Sequence, residues 1–145
     1  MSQENVEIVR RGFDVWEAAW GSGADDLGPL LAIFDDAVVT RRLAPMPDPG
    51  TWNGLEGLLA VLTEWIDTFD EFTMGGEEFI DAGDQVVVRV AQEGRGEDSG
   101  VPVTGTFWFV LGVRNRKVVT LDMYSTREEA LEAVGLSEQD AHGSS

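Results

Sequence analysis

Two strand-like segments carry the side chains best suited to proton-transfer chemistry. Arg89 is the central residue of "QVVVRVAQE", and Asp122 is the only acid in "VVTLDMY", where it shares one face with Thr120 and Tyr124. Asp122 and Arg89 are therefore a candidate ion pair. In a catalytic site Asp122 would act as base or acid, Arg89 would orient it and stabilise developing negative charge, and Tyr124 would assist. The alternative is a purely structural pair that fixes the register of the sheet.

Large aromatic side chains are the candidates for a ligand-binding wall. The chain contains five tryptophans in 145 residues, and such side chains build apolar walls with few polar atoms. The residues predicted to bind a ligand in this way are Phe13, Trp16, Trp52, Trp65 and Trp108. The alternative for each of them is an ordinary place in the hydrophobic core.

Composition excludes several classes of partner and site. With 27 acidic and 10 basic residues, the net charge of -17 argues against nucleic acid and against an anionic membrane surface. Cysteine is absent, so no disulfide or thiolate site is expected. The single histidine, His142, lies in the polar tail "SEQDAHGSS", and the acidic residues lack calcium-loop spacing, so no metal site is predicted. We expect a cytoplasmic protein, because no signal peptide or long apolar segment is visible.

The order of predicted elements indicates an α+β fold. Apolar residues at helical spacing predict helices over residues 5–20 and 55–69, and a short helix with Pro29 in its first turn is expected to run to Phe34. "AVVTRRL" is predicted to be a strand and "APMPDPGTWNG" a loop. From residue 71 four strands follow with hairpin-like turns, which predicts an antiparallel sheet. A last helix begins at Thr126, with Glu129 completing a capping box, and ends near Gly135.

These segments together resemble the SnoaL-like branch of the nuclear transport factor 2-like superfamily. The resemblance is carried by "ENVEIVRRGFDVW", "LLAIFDDAVV", "WNGLEG", "DAGDQVVVRV" and "VVTLDMYSTREEALEAVGL". It implies a cone-shaped α+β fold whose N-terminal helices pack on a curved antiparallel sheet and enclose a deep apolar pocket. It implies one domain over residues 1–136 and a homodimer formed through the sheet. The polar residues 137–145 are expected to form a flexible tail.

The resemblance also implies where side chains point and which activities to test. With the concave side of the sheet facing the pocket, Arg89 lies inside, and the three valines of the opposite face need a partner subunit to cover them. Arg41 is then the arginine of "RR" that points into the pocket, where it would favour an anionic ligand, unless it extends to solvent at the rim. Arg89 and Asp122 align with two members of the Asp-Arg-Asp set of limonene-epoxide hydrolases, whereas the second acid falls on Ala91.

The ketosteroid-isomerase pattern matches less well, since its tyrosine, base and oxyanion acid fall on or near Gly12, Arg41 and Trp108.

Three functions remain open. The first is a cofactor-independent enzyme of the isomerase, cyclase or hydrolase type that acts on a small hydrophobic molecule. The second is a non-catalytic module that binds an apolar, in one version anionic, metabolite. The third is a structural dimer whose aromatic side chains fill the pocket.

Overall fold

The computed structural model describes residues 2–21, 28–43, 49–96 and 102–136. The predicted tail over residues 137–145 lies outside these residues. The described elements, in chain order, are α1 Ser2–Gly21, α2 Gly28–Leu31, β1 Phe34–Arg42, β2 Gly50–Asn53, α3 Gly54–Thr68, β3 Phe69–Ala82, β4 Gln85–Gly96, β5 Pro102–Arg114, β6 Lys117–Tyr124 and α4 Arg127–Ala133. Across the described ranges, no helix is long and apolar enough to cross a membrane.

The six strands form one curved sheet with the order β2-β1-β6-β5-β4-β3. From β3 to β6 each strand pairs antiparallel with the next, as the hairpin-like turns predicted. β1 enters the sheet beside β6 and runs parallel to it, and β2 pairs antiparallel on the outer edge of β1. The predicted α+β fold is confirmed, with one parallel pair that the sequence did not indicate.

One face of the sheet, here called the helix face, packs against α1 and α3. Val9, Phe13 and Trp16 of α1 are buried there, which confirms the helical spacing of these residues, and they belong to the same core as Val88 and Phe109 of the sheet. The side chain of Trp20, on the same predicted stripe, lies outside the part that the structure describes. The helix face therefore carries the main core.

The opposite face of the sheet, here called the outer face, is partly covered by α4. Ala130 and Leu131 of α4 pack with Ile80, Val87 and Val110 in a second buried cluster. The cap of this helix is as predicted: the amide of Glu129 donates to Thr126 Oγ1 at 3.2 Å, and the Thr126 amide donates to Glu129 Oε1 at 3.2 Å. A well-capped short helix is thus the intramolecular cover of the outer face.

Two local predictions were wrong. The second helix ends at Leu31 rather than at Phe34, because Phe34 begins β1 and is buried in the core. The segment predicted as a loop contains β2, in which Trp52 pairs with Thr40 and Thr51 with Arg41. A four-residue edge strand between a proline and a glycine has too little periodicity to be seen in the sequence.

The valines of β4 lie on the face opposite to the one expected. Val86, Val88 and Val90 are all 0 % exposed and pack in the core of the helix face. The expectation that they need a partner subunit was wrong, because the N-terminal helices of the same chain cover them. Burial of these valines therefore no longer supports a homodimer through the sheet, which stays a prediction.

We expect Leu131→Ala to lower the free energy of unfolding by about 2–5 kcal/mol, because a buried leucine is replaced by a cavity between α4 and the sheet. Leu59→Ala is the matched control, since Leu59 is 39 % exposed whereas Leu131 is 1 % exposed. The control should change stability by less than about 0.5 kcal/mol. Urea unfolding measures both variants, and equal losses would show that α4 does not seal the outer face.

Candidate functional site

Arg41 and Asp122 form an ion pair on the outer face of the sheet. The parallel register of β1 and β6 places them directly opposite each other. Arg41 Nε donates to Asp122 Oδ1 at 2.8 Å and Arg41 Nη2 donates to Asp122 Oδ2 at 2.5 Å. The Asp122 side chain is 8 % exposed and that of Arg41 is 46 % exposed. Two parallel hydrogen bonds of this kind fix both side chains and connect the two strands.

Electrostatics around this pair keep Arg41 charged and Tyr124 neutral. The hydrogen bond and the charge of Asp122 raise the pKa of Arg41, and burial only partly opposes them. The pKa of Tyr124 is raised first by burial and then by the Asp122 carboxylate, with Arg41 acting against this and Glu129 adding to it. Tyr124 is therefore a phenol at neutral pH, able to donate a hydrogen bond but not to act as a base.

The predicted pairing of Arg89 with Asp122 is wrong. Arg89 is half-exposed on the outer face, and its Nε lies 3.5 Å from Glu77 Oε1. β5 separates β4 from β6, so that Arg89 lies opposite Trp108, whereas Asp122 lies opposite Val110 in the next row. Strands two positions apart in a sheet are about 9–10 Å apart. Side-chain alternation in β4 was correctly predicted, but the face assigned to the pocket was not.

The predicted orientation of the two adjacent arginines is also reversed. Arg41 points to the outer face, while Arg42 is 6 % exposed and lies on the helix face with Val38 and Thr40. The Arg42 guanidinium carbon is 5.2 Å from the centre of the Trp52 ring, a cation–π distance. Side-chain alternation along β1 distinguishes the two arginines. Val38 is 0 % exposed, and Arg42, four residues later, points to the same face as Val38.

An apolar cavity of about 50 Å³ lies between the helices and the helix face of the sheet. Among the described residues, its wall contains no ionisable side chain. The lining residues are Val9, Gly12, Phe13, Trp16, Leu30, Ile33, Phe34, Leu58, Leu62, Met74, Phe109, Leu111, Val118 and Leu121. The described part of this wall offers an apolar molecule contacts but no acid or base.

Only some of the predicted aromatic residues reach this cavity. Phe13 and Trp16 line it. Trp52 is partly buried and packs against the main core. Trp108 lies on the outer face beneath Arg127, whose guanidinium carbon is 5.2 Å from the centre of the Trp108 ring. The side chain of Trp65 lies outside the described part of the chain. The aliphatic majority of the wall was missed, because leucine and valine in a core and in a cavity wall give the same sequence signal.

A second, open groove meets the cavity at its β3 end. It has a volume of about 250 Å³ and is lined by Trp16, Glu17, Thr73, Met74 and Gly75. Trp16 and Met74 line both spaces, and they are 3 % and 6 % exposed. These two side chains therefore form the partition between the interior cavity and the surface.

No arrangement of three or more histidine or acidic side chains within the described ranges could hold a metal ion.

The family model for the SnoaL-like domain matches residues 9–121, well over half of the chain. The chain belongs to the SnoaL-like domain family. No curated protein matches the sequence.

Solved structures support the SnoaL-like assignment at the level of the fold. A hypothetical protein with a ketosteroid isomerase-like fold from Catenulispora acidiphila DSM 44928, in complex with trimethylamine, is 19 % identical with a TM-score of 0.66 over 90 % of this chain and 94 % of that one. An NTF2-like protein from Burkholderia xenovorans LB400 is 25 % identical with a TM-score of 0.65 over 93 % and 98 %. A protein assigned as a SnoaL-like polyketide cyclase from Jannaschia sp. CCS1 is 18 % identical with a TM-score of 0.71 over 94 % of each chain.

The positions implied by the enzyme relatives are not assembled in this SnoaL-like chain. Gly12, at the position of the isomerase tyrosine, does line the cavity. Arg41, Arg89 and Asp122 lie on the other side of the sheet. None of Asp122, Arg89 and Tyr124 lines the cavity. A catalytic role of these three residues stays a prediction.

A double-mutant cycle on Arg41→Met and Asp122→Asn should give a coupling energy of about 1–2 kcal/mol, since Asp122 is buried while Arg41 is partly screened by solvent. The same cycle on Arg89→Met and Glu77→Gln should give less than about 0.5 kcal/mol, because both side chains are half-exposed. Chemical denaturation of the single and double variants provides the values. A coupling between Arg89 and Asp122 as large as that between Arg41 and Asp122 would overturn the pairing described above.

Proposed function

We propose that this SnoaL-like chain binds a compact, neutral, apolar molecule in its interior cavity and does not react with it. The observation that carries the proposal is the wall of the cavity, in which no described residue is ionisable. Binding of an apolar molecule needs only a dry, shaped space. Proton transfer needs an acid or base within hydrogen-bond distance of the bound molecule.

The size of the cavity restricts the ligand. An apolar cavity of about 150 Å³ holds benzene or xenon, whereas the volume here is about 50 Å³. The cavity therefore favours molecules no larger than benzene. The similar structure from Catenulispora acidiphila was solved with trimethylamine, a molecule of this size class. That complex supports a small ligand for the present chain.

Charge favours a neutral ligand over the anionic one that Arg41 was expected to attract. Arg41 lies on the outer face and is paired with Asp122. A carboxylate in the cavity would lose its hydration without gaining a cation from the described wall, which is strongly unfavourable. The hypothesis of an enzyme has less support than the hypothesis of a binding module, because the sheet separates Asp122 and Tyr124 from the cavity.

Xenon is a suitable probe of the cavity, because it is small, neutral and apolar. We expect xenon under pressure to shift the NMR signals of methyl groups on Leu58, Leu121 and Val118, which line the cavity. Gly12→Leu should fill the space from α1 and weaken xenon binding by about tenfold or more, while the protein remains folded.

Gly12→Ala is the matched control for this variant. A Cβ atom at position 12 meets the nearest Ile33 carbons at 3.8 and 3.9 Å, which is ordinary contact. Alanine also favours a helix over glycine by about 1 kcal/mol. The control should keep xenon binding and gain stability. Xenon binding unchanged by Gly12→Leu, or shifts confined to other parts of the protein, would refute the proposed site.

The partition formed by Trp16 and Met74 is the proposed access route to the cavity. Methionine has three rotatable side-chain bonds, so Met74 can swing aside with less disturbance than Trp16. Glu17, Thr73 and Gly75 form the rest of the groove outside it. A ligand would enter from this groove between α1 and β3.

Met74→Ala should accelerate dissociation of xenon by about tenfold, because it removes a side chain shared by the cavity and the groove. Leu121→Ala is the control, since Leu121 lines the cavity but not the groove. Both substitutions enlarge the cavity, so both should change affinity, but only Met74→Ala should change the exchange rate strongly. NMR exchange measurements separate these effects, and equal acceleration in the two variants would exclude this route.

A further inference from the structure

Thr40 is a fully buried polar residue beside the cavity wall. It is 0 % exposed, lies on the helix face of β1, and pairs across the sheet with Trp52 of β2 and Leu121 of β6. Leu121 is part of the cavity wall. Thr40 is therefore the neighbour of a wall residue in the same row of the sheet, although it is not itself part of the wall.

The Thr40 hydroxyl has no hydrogen-bond partner among the described residues. Buried hydroxyl groups in native proteins are almost always paired, because an unpaired one loses its hydration without compensation. Thr40 therefore destabilises the ligand-free chain relative to an apolar residue of the same shape. A polar atom of a ligand bound next to Thr40 could supply the hydrogen-bond partner that the hydroxyl lacks in the free protein.

We propose that the Thr40 hydroxyl binds the single polar atom of the ligand, an inference that rests on the proposed function. The ligand class is then a compact, neutral, apolar molecule with one oxygen atom, such as a ketone or ether. A hydroxyl both donates and accepts, so it can pair with any of these groups. The hydrocarbon part of the ligand occupies the cavity, and its polar atom points toward β1.

Two neighbouring polar residues are weaker candidates for this role. Arg42 lies on the same face two residues further along β1, but its guanidinium packs against the Trp52 ring. Its strand partner Met123 is not part of the cavity wall, whereas Leu121, the strand partner of Thr40, is. Gln92 also has a buried Oε1 without a partner among the described residues, and it lies opposite the wall residue Met74. Gln92 is only partly buried as a residue, so its cost in the free protein is smaller than that of Thr40.

The test compares two probes and three variants. The probes are cyclobutanone and methylenecyclobutane, which have similar shapes and differ in one carbonyl oxygen. The variants are Thr40→Val, which removes the hydroxyl and keeps the shape, Thr40→Ser, which keeps the hydroxyl, and Gln92→Met, the matched control at the other unpaired atom. NMR titration gives the dissociation constants, and comparing each probe across variants cancels the hydration of the probe itself.

We expect Thr40→Val to weaken cyclobutanone binding by about five- to tenfold, the effect of losing one hydrogen bond, and to leave methylenecyclobutane binding nearly unchanged. Thr40→Ser should preserve the response of the native chain to the ketone, and Gln92→Met should have no effect on either probe. The melting temperature of the free protein should rise in Thr40→Val, because an unpaired buried hydroxyl is removed. This combination of higher stability and weaker ketone binding is not expected of a residue with a purely structural role.

Three results would overturn the assignment of Thr40. They are an unchanged affinity of Thr40→Val for cyclobutanone, a loss of ketone binding in Gln92→Met instead, and a lower melting temperature in Thr40→Val. Xenon binding to the same proteins separates this inference from the proposed function. Xenon bound equally by the native chain and Thr40→Val, with no dependence of the ketone on Thr40, would reject the anchor alone. Absence of xenon and of both probes from the native chain would reject the cavity as a binding site.

Discussion

The parallel pairing of β1 with β6 is the constraint on which both faces of the sheet depend. On the outer face it places Arg41 directly opposite Asp122, where two hydrogen bonds join the strands. On the helix face the same register places Thr40 beside Leu121 at the cavity wall. A shift of one residue would exchange the faces and bury Arg41 without its carboxylate. The ion pair and the apolar cavity are therefore two results of one strand alignment.

The sheet separates Arg41, Asp122 and Arg89 from the apolar cavity. The outer face holds the Arg41–Asp122 pair, Tyr124 and the half-exposed Arg89, while the helix face around the cavity is built from aliphatic and aromatic side chains. Arg89 lies within a valine-rich strand because its side chain is on the outer face of β4, where it is half-exposed, while Val87 on the same face is buried with α4. This separation places the residues that resemble those of enzymes on the side of the sheet away from the cavity.

Features that depend on local chemistry could be predicted from the sequence. The capping box at Thr126, the apolar stripe of α1 and the hairpins from β3 to β6 each depend on residues close in the chain. The partner of Asp122 could not be predicted in this way, because Arg41 is 81 residues away and their contact depends on the register of two distant strands. The pocket side of β4 was equally undetermined, since Val86, Val87 and Val88 are all buried and the two faces of the strand look alike in sequence.

The position of β6 has a consequence for synthesis of the chain. β6 is the last strand to emerge from a ribosome, yet it lies between β1 and β5 in the middle of the sheet. The pair formed by β1 and β2 has no place to dock until β6 has been made, and α4 follows only after that. Non-local pairing of this kind delays folding. The nascent chain must therefore keep the apolar residues of its first two strands from mispairing until almost all of the domain has been translated.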